Sequence, residues 1–368
     1  MFNGKRLYWV DSAKGISIIL VVMLYAANSV GKATGEVGFL HYIIGFATPF
    51  RMPEFFLISG LFLSNVIARN WESYLDKRFV HYLYFYGLWA LIMIVIKIAL
   101  YSAHPSHALS LIIWSIVEPY SMLWFIYVLA FFSLTAKIAY SLKIPHWAML
   151  IGAALLHIFP IQTPSYAINQ FAEYLIYFYA GYVFAPLIFK IVQYFLERPL
   201  LSIASLSLWA IINGALVFSP SFKAMPTHFE MGYAALPVLH LGLALIGAMA
   251  VCVLAAFVSR FNLMNWLHWV GSHSIVIFLA FGLPLGLSRE ILLRFNLIDN
   301  IGIFSLVILL VALIAPLILY WLVQKTGYGK FLFERPAWAH ISSTKQSLSP
   351  KIKKSQRPKL KLNQQAAE

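Results

Sequence analysis

The sequence predicts an all-α fold, a polytopic membrane helix bundle of about ten transmembrane helices, and three observations carry that reading. Apolar and aromatic residues make up 61% of the 368, and charged residues only 11%, against roughly a quarter charged in ordinary soluble domains. The apolar residues fall in long runs, and about 20 in a row suffice to cross the hydrocarbon layer once. The 27 Lys and Arg residues collect beside the ends of those runs, so the net charge of +14 belongs to membrane topology and not to nucleic acid.

Taken in order, the runs lie near 12–31, 53–68, 79–101, 120–141, 147–163, 169–188, 199–219, 232–258, 265–287 and 301–324. Their even number puts both termini on one side. With the N-terminus inside, Lys5, Arg6, Lys14, Arg69, Lys77, Arg78, Lys137, Lys143, Lys190, Arg198, Arg260 and ten more basic residues from Lys325 onward are cytoplasmic. Lys32, Arg51, Lys97, Lys223, Arg289 and Arg294 fall on the outer side, which satisfies the positive-inside bias. The first run follows Lys5 and Arg6 as a secretory signal does. It is long, holds Asp11 and Lys14 and lacks a small-residue cleavage site, so it reads as a permanent helix.

Two domains follow: a membrane domain over 1–340 and a tail over 341–368, with seven basic residues and one acidic among Ser, Gln and Pro. The tail reads as disordered and cytoplasmic, drawn to anionic membrane lipids by about 1 kcal/mol per basic residue. It lacks the interleaved aromatics of a nucleic-acid surface. Cys252 is the single cysteine, which excludes intramolecular disulfides and cysteine metal cages. There is no P-loop, no Gly-rich dinucleotide fingerprint, no His-Glu-x-x-His and no duplicated half. The chemistry therefore rests on polar residues inside the runs.

The first run opens Trp9-Val-Asp-Ser-Ala-Lys-Gly-Ile-Ser-Ile-Ile-Leu-Val-Val-Met-Leu-Tyr25. Asp11 and Lys14, three apart, pair on one helical face. Tyr25 follows Lys14 by eleven residues, which returns it to within roughly 20° of the same face, some 16 Å further along the axis. Glu54 begins a buried run, where a carboxylate must be paired or used; Arg51, three residues earlier, is its nearest candidate partner. Ser59 and Gly60 suit close helix approach. The lone histidines His157, His240 and His273 lie within runs, where bonding to a neighbouring helix is their ordinary fate, and His41 falls near the outer interface.

At these residues the chain resembles acyltransferase family 3, integral membrane proteins that open with Asp-x-x-Arg-Gly followed by a histidine on the same helix. Arg51-Met-Pro-Glu-Phe-Phe-Leu-Ile-Ser-Gly60 resembles the family's Pro-x-Phe-Phe-x-x-Ser-Gly stretch, Leu123-Trp-Phe125 its Leu-Trp-Phe, and Gly271-Ser-His-Ser-Ile-Val-Ile-Phe-Leu279 its late serine helix. The resemblance implies ten spans over residues 9 to 325, a location in the cell inner membrane, and transfer of an acyl group to a hydroxyl of an envelope glycan or similar acceptor. No bound cofactor is implied; the donor is a cytoplasmic acyl-CoA.

Such a transfer needs a base and a cation that holds phosphate or oxyanion charge. The resemblance puts Lys14 and Tyr25 at the reaction, and the buried carboxylate of Glu54 is the candidate to take over as base; Asp11, Arg51, Ser59, Arg78, His81 and Trp124 are the candidates around the substrates. The chain departs from the family at four of its positions. Lys14 stands where the family has arginine, keeping the charge without the bidentate fork. Tyr25 stands at the histidine, Lys77-Arg78-Phe-Val-His81 replaces Arg-x-x-Arg, and Phe281 occupies a late histidine position. Loss of the histidine also admits a different class of function, a catalytically silent relative that carries an amphiphilic or glycan substrate across or within the membrane.

The charge split makes a topological prediction. A reporter active only in the cytoplasm and fused after Glu368 is expected to be active, and one active only outside to be silent; the reverse pattern overturns the orientation.

Overall fold

The computed structural model describes residues 8–101, 105–295 and 297–341. It is a helical bundle, as expected, and its only strands among those residues are a two-residue hairpin, Lys223–Ala224 with Phe229–Glu230. The first helix, α1 (Tyr8–Thr34), is followed by the short α2 (Phe39–Ala47), α3 (Arg51–Gly60) and α4 (Trp71–Leu75). A π-turn over Asp76–Val80 leads into α5 (His81–Tyr101). Then come α6 (Pro105–Val117), α7 (Trp124–Ser141), α8 (His146–Ile158), α9 (Tyr166–Val183), α10 (Ala185–Leu196) and α11 (Pro199–Val217). The hairpin separates α11 from α12 (Pro237–Val258), and α13 (Asn265–Ser272), α14 (Ser274–Ala280), α15 (Gly282–Arg294) and α16 (Ile301–Thr326) complete the bundle.

The count of ten spans is not confirmed. Six stretches among the described residues are long and apolar enough to cross a membrane, and eight if each of two bent pairs counts as one. The expected run 53–68 is α3, whose ten residues reach about 15 Å, half the hydrocarbon thickness. The run 147–163 is the thirteen-residue α8. The run 169–188 breaks into α9 and α10, bent by 74°, with proline at the start of α10 removing a backbone donor at the break. The run 265–287 bends by 54° between α13 and α14. Residues 342–368, the greater part of the expected tail, lie outside the described residues.

Two helix crossings are close enough to bring backbones together. At the α1–α13 crossing a Cβ on Gly271 would overlap the carbonyl of Asp11, and one on Gly15 would overlap that of Leu267. At α3–α9 a Cβ on Gly60 would overlap the Phe178 carbonyl, and one on Gly181 that of Leu57. Between lipid tails there is no hydrophobic gain in joining two helices, so small residues that admit close packing decide which faces meet.

The other end of α1 packs on the hairpin loop, where Gly31 abuts the Pro226 carbonyl. His41, fully buried, accepts a hydrogen bond from the Gly38 N–H at Nδ1 (3.1 Å) and donates from Nε2 to the Pro226 carbonyl (3.3 Å). Gly38 lies against Gly302, and Arg289 donates to Ser29 at 3.0 Å. The end of α1, the loop around 219–231, Arg289 of α15 and the start of α16 therefore gather at one end of the bundle, away from Lys14.

The α1–α13 crossing predicts unequal tolerance of an added methyl. Gly271→Ala is expected to lower the unfolding temperature in detergent by several degrees or to prevent folding, since overpacking costs about 1–3 kcal/mol or more. Gly286→Ala, where nothing lies within 4 Å, should leave it nearly unchanged. Equal tolerance at both sites would show that the crossing is not a close one.

Candidate functional site

Five segments far apart in sequence line one cavity of about 470 Å³. α1 supplies Lys14, α3 supplies Phe55 and Ser59, the π-turn and α5 supply Lys77, Arg78 and His81, and α7, α13 and α14 close the walls with Phe125, Ser272 and Phe278. Of the residues singled out from sequence, Lys14, Ser59, Arg78 and His81 meet here; Lys77 was not among them.

Lys14 is held from behind. Its Nζ lies 3.6 Å from Asp11 Oδ1, the pairing that their spacing implies, and Asp11 Oδ2 lies 3.6 Å from His268 Nδ1 on α13. His268 escaped the sequence reading because the α1–α13 crossing alone makes it a neighbour. Ser59 Oγ donates to the Phe55 carbonyl at 2.8 Å, so its proton is engaged in the helix and not poised for attack. Arg78 Nη1 donates to the Tyr82 hydroxyl at 3.1 Å.

The π-turn that aims Lys77, Arg78 and His81 into the cavity is clamped by the segment after α16. Asp76 is completely buried; Arg335 donates to its carbonyl (2.6 Å) and its Oδ2 (2.7 Å), and the Ile341 N–H donates to Oδ1 (2.9 Å). His340 Nδ1 lies 3.0 Å from the same carboxylate. The strand of chain between is sewn to α5, with Tyr84 donating to the Phe331 carbonyl and Trp89 to that of Leu332, both at 3.0 Å. Wide turns of this kind recur at functional sites, and this one is fixed by contacts some 260 residues away in sequence, beyond the reach of any local pattern.

The remaining candidates sit deeper. Trp124 does not line the cavity; its Nε1 donates to the Tyr25 hydroxyl at 3.3 Å, behind a wall in which Phe55 and Phe125 stack at 4.5 Å. Tyr25 in turn packs on Phe281, ring centroids 5.4 Å apart, so the two positions at which the resembling family carries histidine face each other as aromatics. Arg51 and Glu54 do not form the ion pair that their spacing allows. The carboxylate of Glu54, 1% exposed, takes a hydrogen bond from Ser17 of α1 instead. Arg51, also buried, keeps Nε and Nη1 without a hydrogen-bond partner and lies within electrostatic reach of Tyr25 and Tyr174. Glu54 sits beneath α1 because the α3–α9 crossing turns this side of α3 inward, which places it on Ser17 before it can reach Arg51.

The other histidines are engaged locally. His273 Nδ1 donates to the Trp269 carbonyl at 2.9 Å, and His157 and His240 bond to each other near the opposite end of the bundle. Among the described residues no group of three His, Cys, Asp or Glu has the arrangement to hold a metal ion.

The model of a family described as an acyltransferase domain matches residues 7–322. No curated protein and no solved structure matches the chain.

The clamp yields a stability prediction. Arg335→Ala takes the guanidinium from the buried Asp76 carboxylate and leaves it the Ile341 N–H and His340, which costs up to about 3–5 kcal/mol, and is expected to lower the unfolding midpoint and to expose the π-turn to protease. Combining it with Asp76→Asn should recover part of the loss. An unchanged midpoint for Arg335→Ala would show that the pair does not hold the turn.

Proposed function

This chain belongs to acyltransferase family 3, and from that premise we propose that it moves an acyl group from a phosphate-bearing thioester such as acyl-CoA to a hydroxyl of an envelope glycan or similar acceptor, in the cell inner membrane with both termini cytoplasmic. The observation that carries the reading is the convergence of Lys14, Lys77, Arg78 and His81 on one cavity. Lys14, Lys77 and Arg78 line the cavity while the carboxylates of Asp11 and Asp76 lie behind them, which suits an anionic donor. The alternation of cation and aromatic wall suits a ligand with a charged head and a thin acyl-bearing arm.

In this reading the arm reaches past Phe55 and Phe125 toward Tyr25. The acceptor oxygen attacks the thioester carbonyl carbon, the carbon–oxygen bond forms as the carbon–sulfur bond breaks, the thiolate leaves, and the hydroxyl proton passes to Glu54 by way of Ser17. The free N–H groups of Arg51 supply charge to the developing oxyanion, a use that offsets the cost of burying a guanidinium without full pairing. Tyr25, held by Trp124, positions the reacting groups.

The packing of Tyr25 on Phe281 favours a second reading, a catalytically silent relative that binds and carries its substrate. Incubation of the purified chain with labelled acetyl-CoA separates the two, since acceptor-dependent thiol release rejects the silent version. In the active version Lys14→Ala is expected to abolish transfer while inserting normally, and Asp11→Asn to be milder. Glu54→Gln should lower the rate by about 10²-fold or more, and Tyr25→Phe by no more than one hydrogen bond's worth, about 0.5–1.5 kcal/mol. In the silent version wild-type transfer is absent and Tyr25→His restores a trace, since imidazole titrates near 6.5 and phenol near 10. Transfer that survives both Glu54→Gln and Tyr25→Phe would sink the assigned base.

A further inference from the structure

A second cavity, of about 290 Å³, lies at the end of the bundle away from Lys14, between the end of α8, the start of α9 and the start of α12. Its polar walls are His157, Gln162, Asn169, Glu173 and His240. The two histidines form a chain whose proton positions follow from elementary bonding. His157 Nδ1 lies 3.0 Å from the backbone carbonyl of Glu173, an oxygen that only accepts, so Nδ1 carries the proton and Nε2 the lone pair. His240 Nδ1 lies 3.2 Å from that Nε2 and donates to it. The two ring planes are within 8° of parallel, with centroids 5.3 Å apart. In neutral rings this leaves His240 Nε2 an acceptor, and no hydrogen bond to it is formed within the described residues. Tyr177, whose hydroxyl lies 3.3 Å from His157 Nε2, backs the pair.

Asn169 is spent on Thr163, taking its backbone N–H at 3.0 Å and its hydroxyl at 2.9 Å, which fixes the loop beneath. The groups facing the cavity are an imidazole acceptor, the Glu173 carboxyl, which also takes a hydrogen bond from Tyr174, and the Gln162 amide, set beside the apolar faces of Pro160, Ile161 and Pro237. No lysine or arginine lines it, so a phosphate or carboxylate ligand would find no counter-charge there and is disfavoured. Acceptors for hydroxyl donors interleaved with small apolar plates match the edge and face of one pyranose ring, and the volume suits one ring rather than a chain.

We propose that this cavity binds a neutral, hydroxyl-rich sugar unit, with His240 Nε2 accepting a hydrogen bond from a ring hydroxyl. It is an acceptor-side subsite insofar as the acyltransferase reading holds; the binding itself does not depend on that reading. The cavity adjoins the aromatic line from Trp124 through Tyr174 and Tyr177 to His157, whose successive ring centroids are 5.6, 6.1 and 5.4 Å apart. The subsite therefore joins the Tyr25 region without sharing residues with the cationic cavity.

The test uses the full chain purified in a detergent without sugar headgroups, probed by saturation-transfer NMR with methyl glucoside, N-acetylglucosamine and maltotriose, in the absence of any donor. At least one sugar is expected to show transfer that His240→Ala and Glu173→Gln each weaken at least tenfold, while both variants keep the wild-type unfolding midpoint and coenzyme A binding. His240→Gln, which restores an acceptor, should lose less. Should His240→Ala fail to fold, Glu173→Gln and His240→Gln carry the measurement. Absence of sugar transfer in the wild type, or transfer unchanged in the folded variants, overturns the proposal. Failure of coenzyme A to bind, with sugar binding intact, would instead count against the donor reading alone.

Discussion

Backbone contact at glycine is the constraint on which the rest of this molecule depends. Where Gly271 meets the carbonyl of Asp11, α1 and α13 approach as closely as helices can, and they do so at the turn that carries Asp11 and Lys14. The register of that crossing puts His268 against Asp11 and turns Lys14 into the cavity. The second crossing, Gly60 on Phe178 and Gly181 on Leu57, sets the rotation of α3, which sends Ser59 to the cavity wall and Glu54 inward to Ser17. In a hydrocarbon solvent these contacts replace the apolar burial that would orient helices in water.

Electrostatics then follows packing. Asp11 and Asp76 are the buried carboxylates that hold the cationic mouth, one behind Lys14 and the other beneath the turn bearing Lys77 and Arg78. Asp76 is satisfied entirely by the strap after α16, whereas Asp11 joins Lys14 of its own helix to His268 of α13, so tertiary structure completes what local spacing begins. Arg51 is the exception, a buried guanidinium with free N–H groups, and such costs are tolerated where a charge is wanted.

The sequence showed the class of fold plainly, because runs such as 199–219, 232–258 and 301–324 are apolar on every face. Hydropathy could not show that 53–68 and 147–163 are short helices or that 169–188 breaks at Pro186, since an apolar turn and an apolar helix have the same composition. At the site, local spacing reached the Asp11–Lys14 pair and the family motifs reached Arg78 and His81. Spacing also offered Arg51 to Glu54, and there a competitor from another helix won, because three residues apart on one helix guarantees proximity and not preference. Lys77 fell beside a residue already singled out, whereas His268 and Arg335 become neighbours of the site only through crossings and straps that pair segments about 260 residues apart.

The strap after α16 carries an implication for how the molecule is made. Asp76 emerges early in synthesis, and its guanidinium partner follows only once Arg335 has been added. Until then the turn bearing Lys77 and Arg78 holds a carboxylate that can be satisfied only by water or by a holding factor. Insertion of the earlier helices and fixing of the turn that bears Lys77 and Arg78 are therefore separate events in the order of synthesis.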